Sequence, residues 1–150
     1  MKVLRASIDS IDVLVPLFDQ YRQFYKQRSD IQEARKFLMT RLKNGDSVVY
    51  IAFGGSENRA FGFVQLYPSF SSIALKPLWI LNDLFVTPAA RGQGVAEALL
   101  HRSVKHAEET NARGIVLETA VDNTPARRLY EKLGWKKDAG FLTYRIDFEE

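Results

Sequence analysis

Two glycines in the run Arg91-Gly92-Gln93-Gly94 stand just ahead of a helical stripe at Val95, Leu99, Ser103 and Ala107. Amides in the first turn of a helix lack intrahelical partners and point along its axis. A loop without obstructing Cβ atoms at that place is a cradle for pyrophosphate. The competing reading is that the glycines merely turn the chain. Two familiar nucleotide motifs fail here. The dinucleotide fingerprint requires Gly or Ala at its sixth position, where counting from Gly92 puts Glu97, and a Walker loop requires Gly-Lys-Ser or Gly-Lys-Thr, neither of which occurs. NAD and ATP both lose ground.

The remaining reactive side chains are few. There is no cysteine, which excludes a catalytic thiol, thiolate zinc and a disulfide framework. His101 and His106 are five positions apart on one helix, hence on different faces, and are expected at the surface; no metal site is expected. Ser69, Ser71 and Ser72 lack a Gly-x-Ser-x-Gly elbow, which argues against a serine hydrolase. Two carboxylates stand out. Asp83 sits inside the apolar run Leu78-Trp79-Ile80-Leu81-Asn82-Asp83-Leu84-Phe85-Val86, where period two places it on a face with Leu81 and Phe85, and Glu118 ends the next strand. For each the plain alternative is an ion pair or a solvated strand end.

The elements that must position these groups follow from periodicity and punctuation. Residues 1–8 read as an edge strand. Asp9 and Ser10 supply capping oxygens for a helix through Ile11, Leu14, Phe18, Tyr21 and Tyr25. After Ser29-Asp30 a second helix runs through Ala34, Phe37, Leu38 and Leu42 to Asn44-Gly45. Residues 47–53 and 60–67 form an antiparallel hairpin around Gly54-Gly55-Ser56-Glu57-Asn58, closed by Pro68, and the serine-rich stretch 69–77 is a connection. Residues 78–86 are the central strand. The glycine-loop helix and the strand 114–118 follow, and this strand-helix-strand crossover is expected to be right-handed and parallel, with the Arg91 loop at the carboxyl end of the central strand. Thr124-Pro125 opens a last helix through Ala126, Leu129, Tyr130 and Leu133, Gly134 closes it, and Trp135 with residues 141–148 completes the sheet.

Composition permits this. The 150 residues suffice for one domain spanning 1–150, and 46% apolar against 26% charged residues lies far from the disordered class. The net charge of +3 is scattered, with no basic run longer than Arg127-Arg128 or Lys136-Lys137, which argues against nucleic acid as a partner. No stretch reaches the roughly 18 apolar residues of a membrane span, and the N-terminus offers no apolar signal core. The absence of cysteine suits a cytoplasmic protein.

The full run from Leu81 to Ala96, with Arg91, Gly94 and Ala96 in the pattern Arg-x-x-Gly-x-Ala, resembles the acetyl-CoA-binding motif of the GNAT superfamily of N-acetyltransferases. A second block, Asn123-Thr124-Pro125-Ala126-Arg127-Arg128-Leu129-Tyr130-Glu131-Lys132-Leu133-Gly134-Trp135, is similar to the helix that carries the family's general acid. The first 70 residues match by pattern only. The resemblance implies an α/β (α+β) fold with a mixed, mostly antiparallel central sheet flanked by helices and a central parallel strand pair splayed around the cofactor. It implies acetyl-CoA as co-substrate, with pyrophosphate on Arg91, Gly92, Gln93, Gly94, Val95, Ala96 and Glu97. The pantetheine arm would pair with the backbone of Leu84, Phe85 and Val86, and Asn123 would touch cofactor. Tyr130 stands at the proton donor's place, although its residue pattern alone makes it a core aromatic beside Ala126, Leu129 and Leu133. A phenol of reference pKa about 10 keeps its proton at neutral pH and can hydrogen-bond to a developing thiolate.

The implied reaction is direct attack of a neutral amine in a ternary complex, the carbonyl oxygen held by a strand amide such as that of Phe85. The amine arrives as a cation and needs a base: Asp83, Glu118 or an ordered water. An Asn82-Asp83 pair before Leu84-Phe85-Val86 is similar to the polyamine- and histone-type branch, in which an acidic residue meets a cationic amine. Asn82, Asp83 and Tyr25 are assigned to the acceptor, with Tyr21 and Phe24 as further walls and Phe70, Ser71, Ser72 and Trp79 at the border. Asp30, Glu33 and Asp46 would supply extra carboxylates for a polyamine, or simply a solvated helix face. A small cationic amine, an amino acid or a protein amino group all remain open as acceptor. A non-catalytic CoA-binding sensor of the same fold is the second class. Exposed edges and the strand expected at 141–148 also allow a homodimer.

Overall fold

Period-two runs of β-branched and aromatic residues become the centre of a five-stranded sheet in the computed structural model, which describes residues 1–149. The chain falls into two compact units, Met1–Glu118 and Thr119–Glu150. The first holds the sheet, in the order β1 (Lys2–Arg5), β2 (Val48–Gly54), β3 (Arg59–Ser71), β4 (Lys76–Val86) and β5 (Ile115–Leu117). The first four are antiparallel to their neighbours, and β4 and β5 are parallel, as the crossover through the glycine loop requires. Three helices join this unit: α1 (Ile11–Phe24), α2 (Ile31–Asn44) and α3 (Val95–Glu109).

The two sheet faces bury different partners. Val49, Ile51, Phe63 and Phe85 pack with Leu14, Val15, Leu17 and Phe18 of α1 and Ala34 and Leu38 of α2. Residues of opposite parity face α3, as the 2.8 Å hydrogen bond between Tyr50 Oη and His106 Nδ1 shows. The α1–α2 connection is clipped by the buried Asp19 carboxylate, which accepts from Ser29 Oγ (2.6 Å), the Asp30 amide (2.8 Å) and Gln23 Nε2 (3.0 Å). Burial works to raise its pKa, but the Ser29 hydroxyl and Asp30 amide more than offset this and hold it below the ordinary value. Ser7 and Ser10 cap a 3₁₀ turn at Ile8–Ser10 reciprocally, whereas Ser10 makes no side-chain cap to α1.

Two features of the first unit differ from the sequence reading. Pro68 does not end β3: it pairs with Trp79, and the hairpin continues to Ser71 opposite Lys76. Proline is tolerated because β2 pairing stops at Leu66, so from there β3 has a neighbour on one side only. His106 is buried, not surface, with 5% of its area exposed, because it extends the Leu99 and Ser103 stripe of α3 onto Trp79, ring centroids 4.7 Å apart. Taken by itself, the second unit has no strand in residues 135–149. That unit carries one helix, α4 (Thr124–Lys132), with Pro125 in its first turn and Asn123 Oδ1 accepting from the Ala126 amide at 3.4 Å.

Candidate active site

The carboxyl end of β4 departs from regular pairing twice. Opposite Gln65 stands Asp83 and opposite Leu66 stands Leu81, so Asn82 is an extra residue, a bulge. Gln65 and Leu66 point to opposite faces, so Asp83 shares its face with Phe85, and Leu81 is turned to the other. The strict alternation that put Leu81 with Asp83 is thus corrected by one bulged residue. Trp79 goes with Leu81: its indole Nε1 donates to Thr110 Oγ1 at 2.8 Å on the α3 side, away from Asp83. Phe70, in the β3–β4 hairpin, is 80% exposed.

The second departure is on the other edge. β5 pairs with β4 only along Trp79, Ile80 and Leu81, and its last residue is Leu117. From Asn82 through Asp83, Leu84 and Phe85 to Val86, β4 therefore pairs, among the described residues of the first unit, with β3 alone. Its open edge runs straight into the 3₁₀ turn Pro88–Ala90 and the glycine loop. Gly62 opposite Val86 keeps β3 and β4 close here, since a Cβ on it would collide with the Phe85 carbonyl oxygen.

At the loop, Gly92 and Gly94 have φ of +77° and +79°, the left-handed region that disfavours a side chain, while the space beside each is open. Gly94 is the N-cap of α3 and offers its first-turn amides no side-chain cap. Arg91 Nε donates to the Val86 carbonyl at 3.2 Å, and its guanidinium lies 5.8 Å from the Phe24 ring centre and 6.0 Å from that of Phe85. Gln93 Nε2 donates to the Ala89 carbonyl at 3.2 Å, and Glu97 Oε1 is 3.5 Å from His101 Nε2. Val95 is buried and Ala96 half-buried, so their side chains face the protein while the helix end stays accessible. An uncapped helix end next to an open strand edge fits a ligand with a pyrophosphate and an extended amide-bearing arm.

Asp83, 2% exposed, is enclosed by donors. Gln65 Nε2 makes a short hydrogen bond to Oδ2, and Asn82 Nδ2 donates to Oδ1 at 2.8 Å. The Tyr21 hydroxyl also donates to Asp83, and to the Asn82 carbonyl at 3.4 Å. Burial raises the Asp83 carboxyl above its ordinary value against these bonds. Burial, with the nearby carboxylate, likewise pushes the Tyr21 and Tyr67 phenols upward, so both keep their protons. Tyr21 packs edge-on against Phe63, Phe85 and Tyr25, and Tyr25 is 58% exposed at the end of α1. Gln65 and Tyr67 were not anticipated; a glutamine in the apolar stretch Phe63-Val64-Gln65-Leu66 was the available signal.

The other expected residues lie elsewhere or serve locally. Glu118 is exposed, one residue beyond β5. Asp30 caps α2 by accepting the Glu33 amide at 3.1 Å, and Asp46 pairs with Arg41 at 3.3 Å. In the second unit, Tyr130 is half-buried with its ring 6.1 Å from Trp135, and its carbonyl accepts from the Trp135 amide at 3.0 Å. Asn123 caps α4.

Comparison with known proteins gives a consistent picture. Residues 14–135 match the model of the Acetyltransferase (GNAT) family. The chain is 45% identical over 148 residues to the uncharacterized N-acetyltransferase YhfO of Bacillus subtilis (strain 168), covering 98% of this chain and 97% of the relative. A crystal structure of a probable acetyltransferase, 43% identical, covers 100% of this chain and 99% of its own, with a TM-score of 0.95. At 22% identity, a predicted acetyltransferase of Clostridium acetobutylicum, solved with acetyl-CoA, shares the fold over 96% of this chain and 95% of its own, with a TM-score of 0.74.

Proposed function

The chain belongs to the GNAT family of acetyltransferases, and from that premise we propose that it moves the acetyl group of acetyl-CoA to the primary amine of a small cationic metabolite or amino acid. The observation that carries this is the open edge of β4 from residue 82 to 86 running into the uncapped start of α3. Leu84, Phe85 and Val86 supply backbone groups to the pantetheine arm, and the loop from Arg91 to Glu97 receives the pyrophosphate. When bound, acetyl-CoA supplies the electrophilic thioester.

The chain's own groups manage the protons and the charge. Asp83, its proton affinity raised by burial, accepts the proton that the ammonium must lose before its nitrogen can attack; the Tyr21 hydroxyl and Asn82 connect that buried carboxyl to the cleft. A neighbouring β4 amide, that of Leu84 or Val86, stabilises the carbonyl oxygen as it gains charge, because the Phe85 amide is directed to β3 by the register that bonds Thr87 to Phe61. As the carbon–nitrogen bond forms and the carbon–sulfur bond breaks, Tyr130 would give its phenolic proton to the departing sulfur, and the second proton shed by the nitrogen on becoming an amide would restore the phenol through water. Asn123 borders the cofactor from the start of α4. Glu118 is the alternative base.

Support for a single small amine over a polyamine or histone tail comes from the carboxylates. A polycation calls for several free ones, and Asp30 and Asp46 are already bound in a helix cap and an ion pair. Tyr21, Tyr25, Phe24 and Tyr67 make the acceptor wall aromatic, which suits one cation with an apolar body. The cysteine-free chain is at home in the cytoplasm.

Replacement of Tyr130 tests the assignment of the acid. Tyr130→Phe is expected to leave acetyl-CoA affinity within about twofold by calorimetry while lowering kcat by roughly 10²- to 10⁴-fold, the range of a general acid. An unchanged kcat removes Tyr130 from the reaction.

A further inference from the structure

Gln65 lies in the middle of the sheet with none of its area exposed, paired with Val49 of β2 on one side and Asp83 of β4 on the other. A primary amide loses water at such a place and needs hydrogen bonds for both of its halves. Only one half has one. Nε2 donates to Asp83 Oδ2, while Oε1 is buried without a hydrogen-bond partner. Hydrocarbon would fill the space without that penalty, as Val49 and Phe63 do on the same face. A half-satisfied buried amide calls for a reason of its own.

Its neighbour supplies one. Asp83 is held by three uncharged groups, Gln65, Asn82 and Tyr21. A carboxyl has opposite needs in its two forms: ionised, it only accepts hydrogen bonds, and protonated, its O–H must be accepted by another group. Gln65 already holds Oδ2, and its idle Oε1 is half a turn about Cγ–Cδ from the place where Nε2 now stands.

We propose that Gln65 is a positioning residue for the base, its amide turning with the protonation of Asp83 so that Nε2 donates to the carboxylate and Oε1 accepts from the carboxylic acid. The inference rests on the reading of Asp83 given above. The proton lost by the ammonium settles on Oδ2, and that O–H bonds Oε1. Once the acetylated amine has departed, the proton leaves to water and the amide turns back. In either orientation one half of the amide serves the carboxyl and the other is idle, so the amide itself has little preference and the proton decides.

The groups around Asp83 in the first unit leave this role to Gln65. From α1 come the Tyr21 phenol, bonded to Asp83, and Tyr25, edge-on to Tyr21; from β3 comes Tyr67. Burial keeps the Tyr21 and Tyr67 phenols protonated. At the end of α2, Arg41 is paired with Asp46 at 3.3 Å and acts on Tyr67, and Arg91 of the glycine loop lies over the Phe85 ring. Opposite Gln65, β2 offers the apolar Val49. Burial raises the Asp83 carboxyl against its three donors, which favours the protonated form that Oε1 would serve.

Nuclear magnetic resonance of the isotopically labelled full chain reads carboxyl and amide separately. Cross-relaxation between the Gln65 Nε2 protons and the Asp83 Cβ protons is expected above the titration midpoint of the Asp83 carboxyl carbon and is expected to weaken severalfold below it. In Asp83→Asn the Gln65 resonances are expected to be constant with pH. Equal cross-relaxation on both sides of the midpoint overturns the turning amide, and so does a carboxyl that stays in one form wherever the chain is folded. Gln65→Met, similar in volume, removes both bonds. Because a bond to the charged form is about twice as strong as one to the neutral form, the Asp83 midpoint and the acid limb of kcat/KM are expected to rise together by about one pH unit, with acetyl-CoA affinity kept within about twofold. An unmoved or lowered midpoint overturns the proposal. If Gln65→Met fails to fold by circular dichroism, the wild-type titration decides alone. The base reading fails separately: wild-type turnover in Asp83→Asn refutes it, while an amide that turns with its neighbour's proton still stands.

Discussion

Asp83 combines a cost in stability with the use in chemistry proposed for it. Its carboxyl is buried, and the Gln65, Asn82 and Tyr21 hydrogen bonds do not offset the loss of water, so the folded chain holds a proton there more tightly than the unfolded chain does. Its effect on stability is absent below the unfolded pKa and becomes a penalty as pH rises toward and past the raised folded value. Asp83→Asn keeps the shape and removes the charge. Thermal unfolding near pH 7 is expected to show Tm higher by a few degrees, about 1 kcal/mol in a chain of this size, with the gain vanishing on acidification toward pH 4. The same variant should lose turnover and the pH dependence of kcat/KM on its acid limb. A Tm that falls at neutral pH would show that the charged form is the one the fold stabilises, and an unaltered pH profile would transfer the base to Glu118 or a water.

At the scale of elements, the proposed site is a consequence of strand lengths. β5 is three residues long and ends opposite Leu81, which leaves the last five residues of the eleven-residue β4 open on one side. Hydrogen exchange in the presence of acetyl-CoA is expected to protect amides in two stretches, 84–86 and 93–97, by about tenfold or more, consistent with an added strand and an anion at a helix end. Protection confined to the loop would leave the pantetheine arm without the β4 edge. Much of this was legible in the sequence: the apolar run into Arg91-Gly92-Gln93-Gly94 located β4, the loop and α3, because glycine spacing and helical periodicity are local signals. The bulge at Asn82 was not. Register depends on how neighbouring strands pair, and a single extra residue moved Leu81 to the opposite face from Asp83. Pro68 misled for a related reason, since whether proline ends a strand depends on which sides have partners. His106 read as surface because its helix stripe, counted alone, did not reveal Trp79 and Tyr50 across from it.

For the whole molecule, fold and family were readable from two motif blocks, and the acceptor was not, because the wall proposed for it is drawn from separated elements. Tyr21 comes from α1 and Tyr25 from the cap just after it, Gln65 and Tyr67 from β3, and Asn82 and Asp83 from β4. The account's central claim is catalysis, set against mere binding of acetyl-CoA by the same fold. The most direct measurement is thiol release from acetyl-CoA with the full chain, across spermidine, free amino acids, small monoamines and lysine-bearing peptides. The account predicts release that depends on the acceptor and is fastest with a small monocationic amine or amino acid. Tight acetyl-CoA binding with no amine-dependent release in any class would contradict it and make the protein a sensor.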